Sequence, residues 1–275
     1  MEPQILISPD KNSIVKIDQG ELVSFLKNKE ELIHQKGEPG WRNSDTEMFP
    51  VIGPTEATNF VVTTPKGSAI QDQHGLLREL TYYLMESGEN FAAFQKNYIA
   101  NTLVKNSKFP VKSPEEKLSW PYDFSFKKGY ELSNDSLKIT FEIEAEKGMP
   151  FMLGYHPAFK LSGDYSEICK TKNQEISLQK IKDGGSTAFP VLNTQEIKLI
   201  KNKGFNISIK TKGFDNFMLW SEVPNMLCIE PITAYPYTEG VLPLSEKLFS
   251  VSTGKDFFEV VIAPFKDPLI KSVYL

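Results

Sequence analysis

Arginine is nearly missing from this chain: of 31 basic residues, Arg42 and Arg78 alone carry a guanidinium. Lysine is a solvated point charge, whereas arginine offers a rigid donor fork suited to a partly buried polar site. The two positions therefore invite a site assignment, beside the plainer reading of a lysine-biased composition. Cysteine is equally scarce. Cys169 and Cys228 form no CxxC pair and no metal-type spacing, which argues against a thiolate metal centre and fits a reducing, cytoplasmic location, with one disulfide still open. No apolar run approaches the roughly 18 residues that span a bilayer. No basic start followed by an apolar stretch marks a secretory signal. With a net charge of −4 and a pI near 5.6, the chain lacks the basic stripe that a nucleic-acid surface needs. Glycine-rich phosphate loops and metal-spaced ligands are also missing.

What is present is a period of two. Leu137, Ile139, Phe141, Ile143 and Ala145 alternate with Lys138, Thr140, Glu142, Glu144 and Glu146, the pattern of a strand with one buried and one wet face. Phe205, Ile207 and Ile209 alternate with Asn206, Ser208 and Lys210. Shorter apolar runs follow at Phe217 to Trp220, Met226 to Ile229 and Phe257 to Ile262, and Ser13 to Asp18 and Glu21 to Leu26 read as two strands around Gln19-Gly20. Turn signals such as Glu38-Pro39-Gly40, Pro65-Lys66-Gly67 and Asp183-Gly184-Gly185 separate them. The one helical candidate is Pro114 to Leu118. Composition, 40% hydrophobic and 24% charged, is that of a soluble globular protein. Without repeats or linkers, a single all-β domain over residues 1–275, a large antiparallel β-sandwich, is expected.

The chain has three histidines. His34 lies in an ordinary strand-like surface stretch and reads as structural or solvated. His74 opens Gln73-His74-Gly75-Leu76-Leu77-Arg78, where glycine permits a positive φ or a close approach to the backbone. His156 lies in Gly154-Tyr155-His156-Pro157-Ala158-Phe159, held extended by the proline and flanked by aromatic residues. Leu227-Cys228-Ile229-Glu230-Pro231 is an apolar strand ending in a carboxylate, and burial there would raise the pKa of Glu230 to the range a general base requires. Asp215, before the neighbouring strand, is a candidate of the same kind. Each also has an ordinary reading, as a satisfied loop histidine, a core residue or a solvated strand-end carboxylate.

In order, Met48-Phe49-Pro50-Val51-Ile52-Gly53, then His74-Gly75-x-x-Arg78, then Gly154-Tyr155-His156-Pro157-x-Phe159, then Trp220 leading to Cys228-Ile229-Glu230-Pro231, the chain resembles the aldose 1-epimerase (galactose mutarotase-like) superfamily over roughly residues 20 to 265. The resemblance implies a sugar site on the concave face of one sheet. It implies that His74 binds the substrate and assists protonation, that His156 protonates the ring oxygen, and that Glu230 takes the proton of the anomeric hydroxyl. Asp215 is the best match to an aspartate that binds sugar hydroxyls. Opening a hemiacetal needs a base at O1 and an acid at O5, and no metal, nucleotide or other cofactor. Two departures bear on the substrate: no arginine follows Gly53 until Arg78, so Arg42 or Arg78 supplies the sugar clamp or the contacts differ, and Leu76 stands where the family usually has an aromatic residue. The expected partner is a monosaccharide or a sugar phosphate, bound by a monomer or homodimer, with no nucleic acid and no membrane. A non-catalytic sugar-binding protein of the same fold and a two-carboxylate glycoside hydrolase are the competing readings.

Overall fold

Along the strand Leu137–Ala145 the side chains of Leu137, Ile139, Phe141 and Ile143 are fully buried while those between them are partly exposed. The computed structural model, which describes residues 2–40 and 46–266, shows what they are buried against. Leu137–Ala145 lies inside a nine-stranded sheet that runs Glu175–Ser177, Ile168–Lys170, Glu196–Ile200, Asn206–Lys212, Lys255–Phe265, Leu137–Ala145, Phe124–Leu132, Phe91–Tyr98 and Tyr83–Ser87. Every neighbouring pair is antiparallel. The register places Phe126 opposite Ile143 and Tyr130 opposite Ile139, so the apolar residues of adjacent strands share one face.

That face packs on a second, six-stranded antiparallel sheet ordered Phe189–Val191, Asn216–Trp220, Met226–Ile232, Gly154–His156 and Thr46–Met48, with Ala158–Lys160 also paired to Met226–Ile232. Between the layers the rings of Phe141 and Tyr155 lie 5.2 Å apart, and Phe49 meets Phe124 at 5.0 Å and Phe126 at 5.5 Å. Each such fully buried side chain contributes about 1.5–3 kcal/mol relative to exposure. One contiguous core runs from Leu6 to Ile262, so the described residues fold around a shared interior, the expected large antiparallel sandwich.

The two N-terminal strands form as expected, Ser13–Asp18 and Glu21–Lys27, turning at Gln19 and Gly20, both with positive φ. The helix expected at Pro114 to Leu118 does not form. Lys117–Leu118 pairs instead with Val104–Lys105, and Ser113 Oγ accepts from the Glu115 N–H, a local bond that competes with a helical turn. The α-helix among the described residues is Leu178–Asp183, six residues capped by Ser177 and too short to leave a periodic signal. His34 is buried rather than at the surface, its Nε2 bonded to the Pro39 carbonyl at 3.0 Å. Both cysteines are free and buried, closing the disulfide option. No helix among the described residues is long and apolar enough to cross a membrane.

Candidate active site

Side-chain alternation builds the site. In Met226–Ile232, Leu227 and Ile229 point into the inter-sheet core, so Met226, Cys228, Glu230 and Ile232 must point to the other face. On the neighbouring strand Phe217 and Leu219 take the core and Met218 and Trp220 the outer face, with Met218 directly opposite Glu230. On Gly154–His156, Tyr155 fills the core and His156 stands beside Glu230. His156 Nε2 lies 3.3 Å from Glu230 Oε1, and the two residues are 9% and 2% exposed. The Trp220 ring stands 6.4 Å from the His156 ring and supplies an apolar wall.

His74 arrives from a different part of the chain. The Phe49 N–H donates to the His74 carbonyl at 3.2 Å and the Leu77 N–H to the Phe49 carbonyl at 3.0 Å, which pins the histidine segment to the edge of the second sheet. Gly75 has φ +69°, and a Cβ there would lie 2.1 Å from the Phe49 oxygen. The glycine expected to allow a close backbone approach does so. Gly75→Ala should therefore cost at least ~2 kcal/mol, from left-handed strain plus a backbone clash, read as a lower urea midpoint; an unchanged midpoint would contradict this packing. So placed, the His74 ring lies 5.7 Å from that of His156 in an edge-on arrangement.

Arg78 follows in the short 3₁₀ turn Leu77–Glu79. Its Nη2 reaches Thr46 Oγ1 at 3.4 Å, and its Nε has no hydrogen-bond partner among the described residues. Lys108 comes from a loop with no motif to single it out, forms an ion pair with Asp72 at 2.9 Å, and lies 3.4 Å from His74 Nδ1. Asp72, Lys108 and Thr46 are thus site residues that sequence reasoning missed; 34 residues separate Lys108 from the histidine it meets.

Burial governs the electrostatics. It pushes Glu230 up to about 8. It lowers His156 to about 3, helped by the positive charges of Arg78 and Lys108. His74 is likewise held well below the ordinary histidine range, by burial first and then by Arg78, Lys108 and His156. At neutral pH burial thus favours the uncharged form of each of these neighbours, a protonated Glu230 carboxyl beside a neutral His156 imidazole.

Beneath the site, between the sheets, sits an ionic cluster. Glu47 alternates with Thr46 and Met48 and so points into the core, where its Oε1 meets Lys128 Nζ at 2.6 Å with both side chains almost wholly buried. Lys128 holds Glu47 below its ordinary range against the opposing effect of burial. Lys96 donates to the Leu77 carbonyl at 2.9 Å and lies 4.1 Å over the Tyr82 ring. Two segments of the site, Thr46–Met48 and the turn carrying Arg78, are thereby tied to the nine-stranded sheet.

Asp215 is not brought to these groups. It has the parity of Phe217 and Leu219 but sits beyond the core, exposed, accepting from Gln195 Nε2 at 2.7 Å in a surface cleft with Lys170, Asn193 and Lys210. Arg42 lies outside the described residues. His156, Cys228 and Glu230 offer nitrogen, sulfur and oxygen donors within 4.8 Å of one another, but burial and Glu230 push the Cys228 thiol well up, which opposes the thiolate form a metal would require.

The chain matches the aldose 1-epimerase family model over residues 62–229. It is 26% identical over 150 residues to the chromosomal protein LacX of Lactococcus lactis subsp. lactis, covering 51% of this chain and 44% of that protein, so the match spans less than half the length of the relative. Among solved structures it superposes on a galactose mutarotase related enzyme of Lactobacillus acidophilus with a TM-score of 0.73 at 18% identity, covering 96% of this chain and 98% of the other. A galactose mutarotase-like protein of Lactobacillus casei gives a TM-score of 0.75 at 15% identity, covering 96% and 100%. These two structures share the fold. With most of its length matched by the family model, the chain belongs to the aldose 1-epimerase family.

Proposed function

We propose that this protein interconverts the α and β anomers of an aldose, with Glu230 and His156 as the proton-transfer pair and His74 and Arg78 as substrate-orienting groups. One observation carries the reading: two buried groups able to give and take a proton stand 3.3 Å apart on one sheet face. The oxygens O1 and O5 of a cyclic sugar are bonded to the same carbon, so the groups that serve them must lie within about one sugar ring of each other, which this pair does. Glu230 takes the O1 proton as His156 gives one to O5; the C1–O5 bond breaks and the aldehyde forms. Rotation about C1–C2 presents the other carbonyl face, O5 returns its proton to His156 while attacking C1, and Glu230 reprotonates O1.

The protons balance in this scheme, with the resting pair passing its proton from Glu230 to His156 before a cyclic sugar opens. The cyclic sugar is met by the carboxylate–imidazolium form, and ring opening leaves the neutral carboxyl–imidazole form. These differ only by moving one proton within the pair. Burial favours the second, the form complementary to the open-chain aldehyde, while the cyclic substrate needs the first.

Polarimetry tests the proposal: freshly dissolved α-D-glucose or α-D-galactose should reach equilibrium rotation faster with protein than in buffer. A phosphorylated aldose is the second reading, favoured by the sparsely bonded Arg78 guanidinium, and the same assay separates the two. Acceleration of none of them would leave a sugar-binding protein. The pH dependence is also set. With Glu230 near 8 and His156 near 3, the pair keeps its single proton from acid pH up to about 8 and loses it above, where a base remains without its acid. Once the buffer rate is subtracted, kcat/KM should be level from pH 5 to 7 and fall on an alkaline limb near 8; a level profile to pH 10 would contradict the assignment. A cytoplasmic location is proposed with it, supported by two buried free thiols.

A further inference from the structure

The proton transfers above leave Lys108 without a task. It sits in the loop between Val104–Lys105 and Lys117–Leu118, and this loop folds back over residues 72–79. Ser107 Oγ donates to Glu79 Oε1 at 2.7 Å, fastening the loop at one end. Lys108 Nζ lies 3.0 Å from one oxygen of Asp72 and 2.9 Å from the other. Asp72 is itself buried, so the ammonium is anchored on a fixed carboxylate and its charge is balanced there. From that anchor Nζ stands 3.4 Å from His74 Nδ1, and the side-chain amide of the adjacent Gln73 approaches the same nitrogen at 3.5 Å.

An ammonium has three donors and no acceptor, whereas a neutral imidazole has one nitrogen of each kind. A proton on Nδ1 would place an N–H against the ammonium, and a second ring proton would place two cations against each other. We infer that Lys108, clamped by Asp72, is a positioning residue for His74: it keeps Nδ1 as the acceptor, leaves the single ring proton on Nε2, and so presents His74 as a neutral donor beside His156. This deepens the proposed function, since it gives His74 a defined tautomer toward the sugar, and it rests on that reading for its catalytic consequence only.

The other groups facing His74 act in the same direction or are neutral. Arg78 adds positive charge from His74's own segment, His156 on the second sheet is neutral with its proton partner Glu230 behind it, and the Asp72 charge is taken up by Lys108. The depressed basicity of His74, caused by burial and then by Arg78, Lys108 and His156, agrees with this arrangement. A lysine that merely closed a loop would need Asp72 but would have no reason to face a ring nitrogen.

The test is a long-range ¹H–¹⁵N spectrum of protein labelled with ¹⁵N-histidine, the His74 signals being assigned by their loss in His74→Asn. In the unaltered protein, Nε2 should be protonated and Nδ1 unprotonated from pH 8 to pH 5. In Lys108→Met, and in Lys108→Ala as a second variant, Nδ1 should gain proton occupancy within that range, while Lys108→Arg retains the original pattern. Unchanged His34 and His156 signals establish that the fold is intact. A proton on Nδ1 in the unaltered protein, or an original pattern in both neutral variants, would overturn the inference. None of these spectra requires turnover, so they stand apart from the success or failure of the epimerase reading. Where turnover is measured, Lys108→Met should lose about tenfold in kcat between pH 7 and 5 relative to the unaltered protein, the size of effect seen when the partner orienting a working histidine is removed. Lys108→Arg should not; equal losses in both would mark a purely structural lysine.

Discussion

Glu230→Gln is expected to remove about 10²- to 10⁴-fold of the catalysed rate, the contribution typical of a positioned acid–base group. The amide keeps the shape of the carboxyl and its place opposite Met218 but can neither take the O1 proton nor share one with His156. Polarimetry reads the loss, and stability supplies the control, with a sign that follows from the raised pKa. In the folded protein Glu230 titrates near 8, against an ordinary 4.5 when unfolded. The stability linked to its protonation is fully present below about 4.5 and is lost as pH rises through 8. Glutamine has no such ionisation. The variant should therefore be inactive yet more resistant to thermal unfolding than the original at pH 9, with a smaller difference at pH 5. An active variant would remove Glu230 from the chemistry. An inactive variant less stable at every pH would instead point to a structural carboxyl.

The second large effect concerns stability. Lys128→Met should destabilise the fold by about 3–5 kcal/mol, because it leaves the buried Glu47 carboxylate without the ammonium now 2.6 Å away. Lys96 also acts on Glu47 but is bonded to the Leu77 carbonyl, so its compensation is partial. The double variant Glu47→Leu/Lys128→Met removes both charges and should recover most of the loss, since apolar side chains can replace a buried ion pair at little cost in stability. Urea unfolding of the two single variants and the double variant gives the coupling directly. Additive losses would show that the pair contributes nothing as a pair. The recovered double variant also bears on the site: with the ion pair beneath Thr46–Met48 gone, turnover should stay low although the fold is restored.

The period of two, the turn signals and the near lack of helical pattern lead to an antiparallel sandwich because burial on one face of a strand is written locally, every second residue. The proposed proton-transfer pair was legible for the same reason. Glu230 follows Leu227 and Ile229 by the parity that turns it away from the core, and His156 follows Tyr155 likewise. Gly75 was legible as well, since a histidine next to glycine suggested a close backbone approach. Asp215 shows the limit of such reasoning. Its position just before a strand resembled that of a site residue, but the parity of that strand and the turn before it carry the carboxylate to another cleft.

The sequence by itself thus determined the sandwich, the parity of its strands, and the presence of a histidine, a second histidine and a glutamate on segments able to share a face. The tertiary structure decided what surrounds them. Lys108 and Asp72 meet at His74 through a loop closed over the site, and Glu47 finds Lys128 only when two sheets stack. Neither encounter leaves a local pattern, because both join residues far apart in the chain. Their consequence is physical all the same: low polarity around Glu230 and His156 sets where one proton rests, and the cations around His74 set which of its nitrogens carries another.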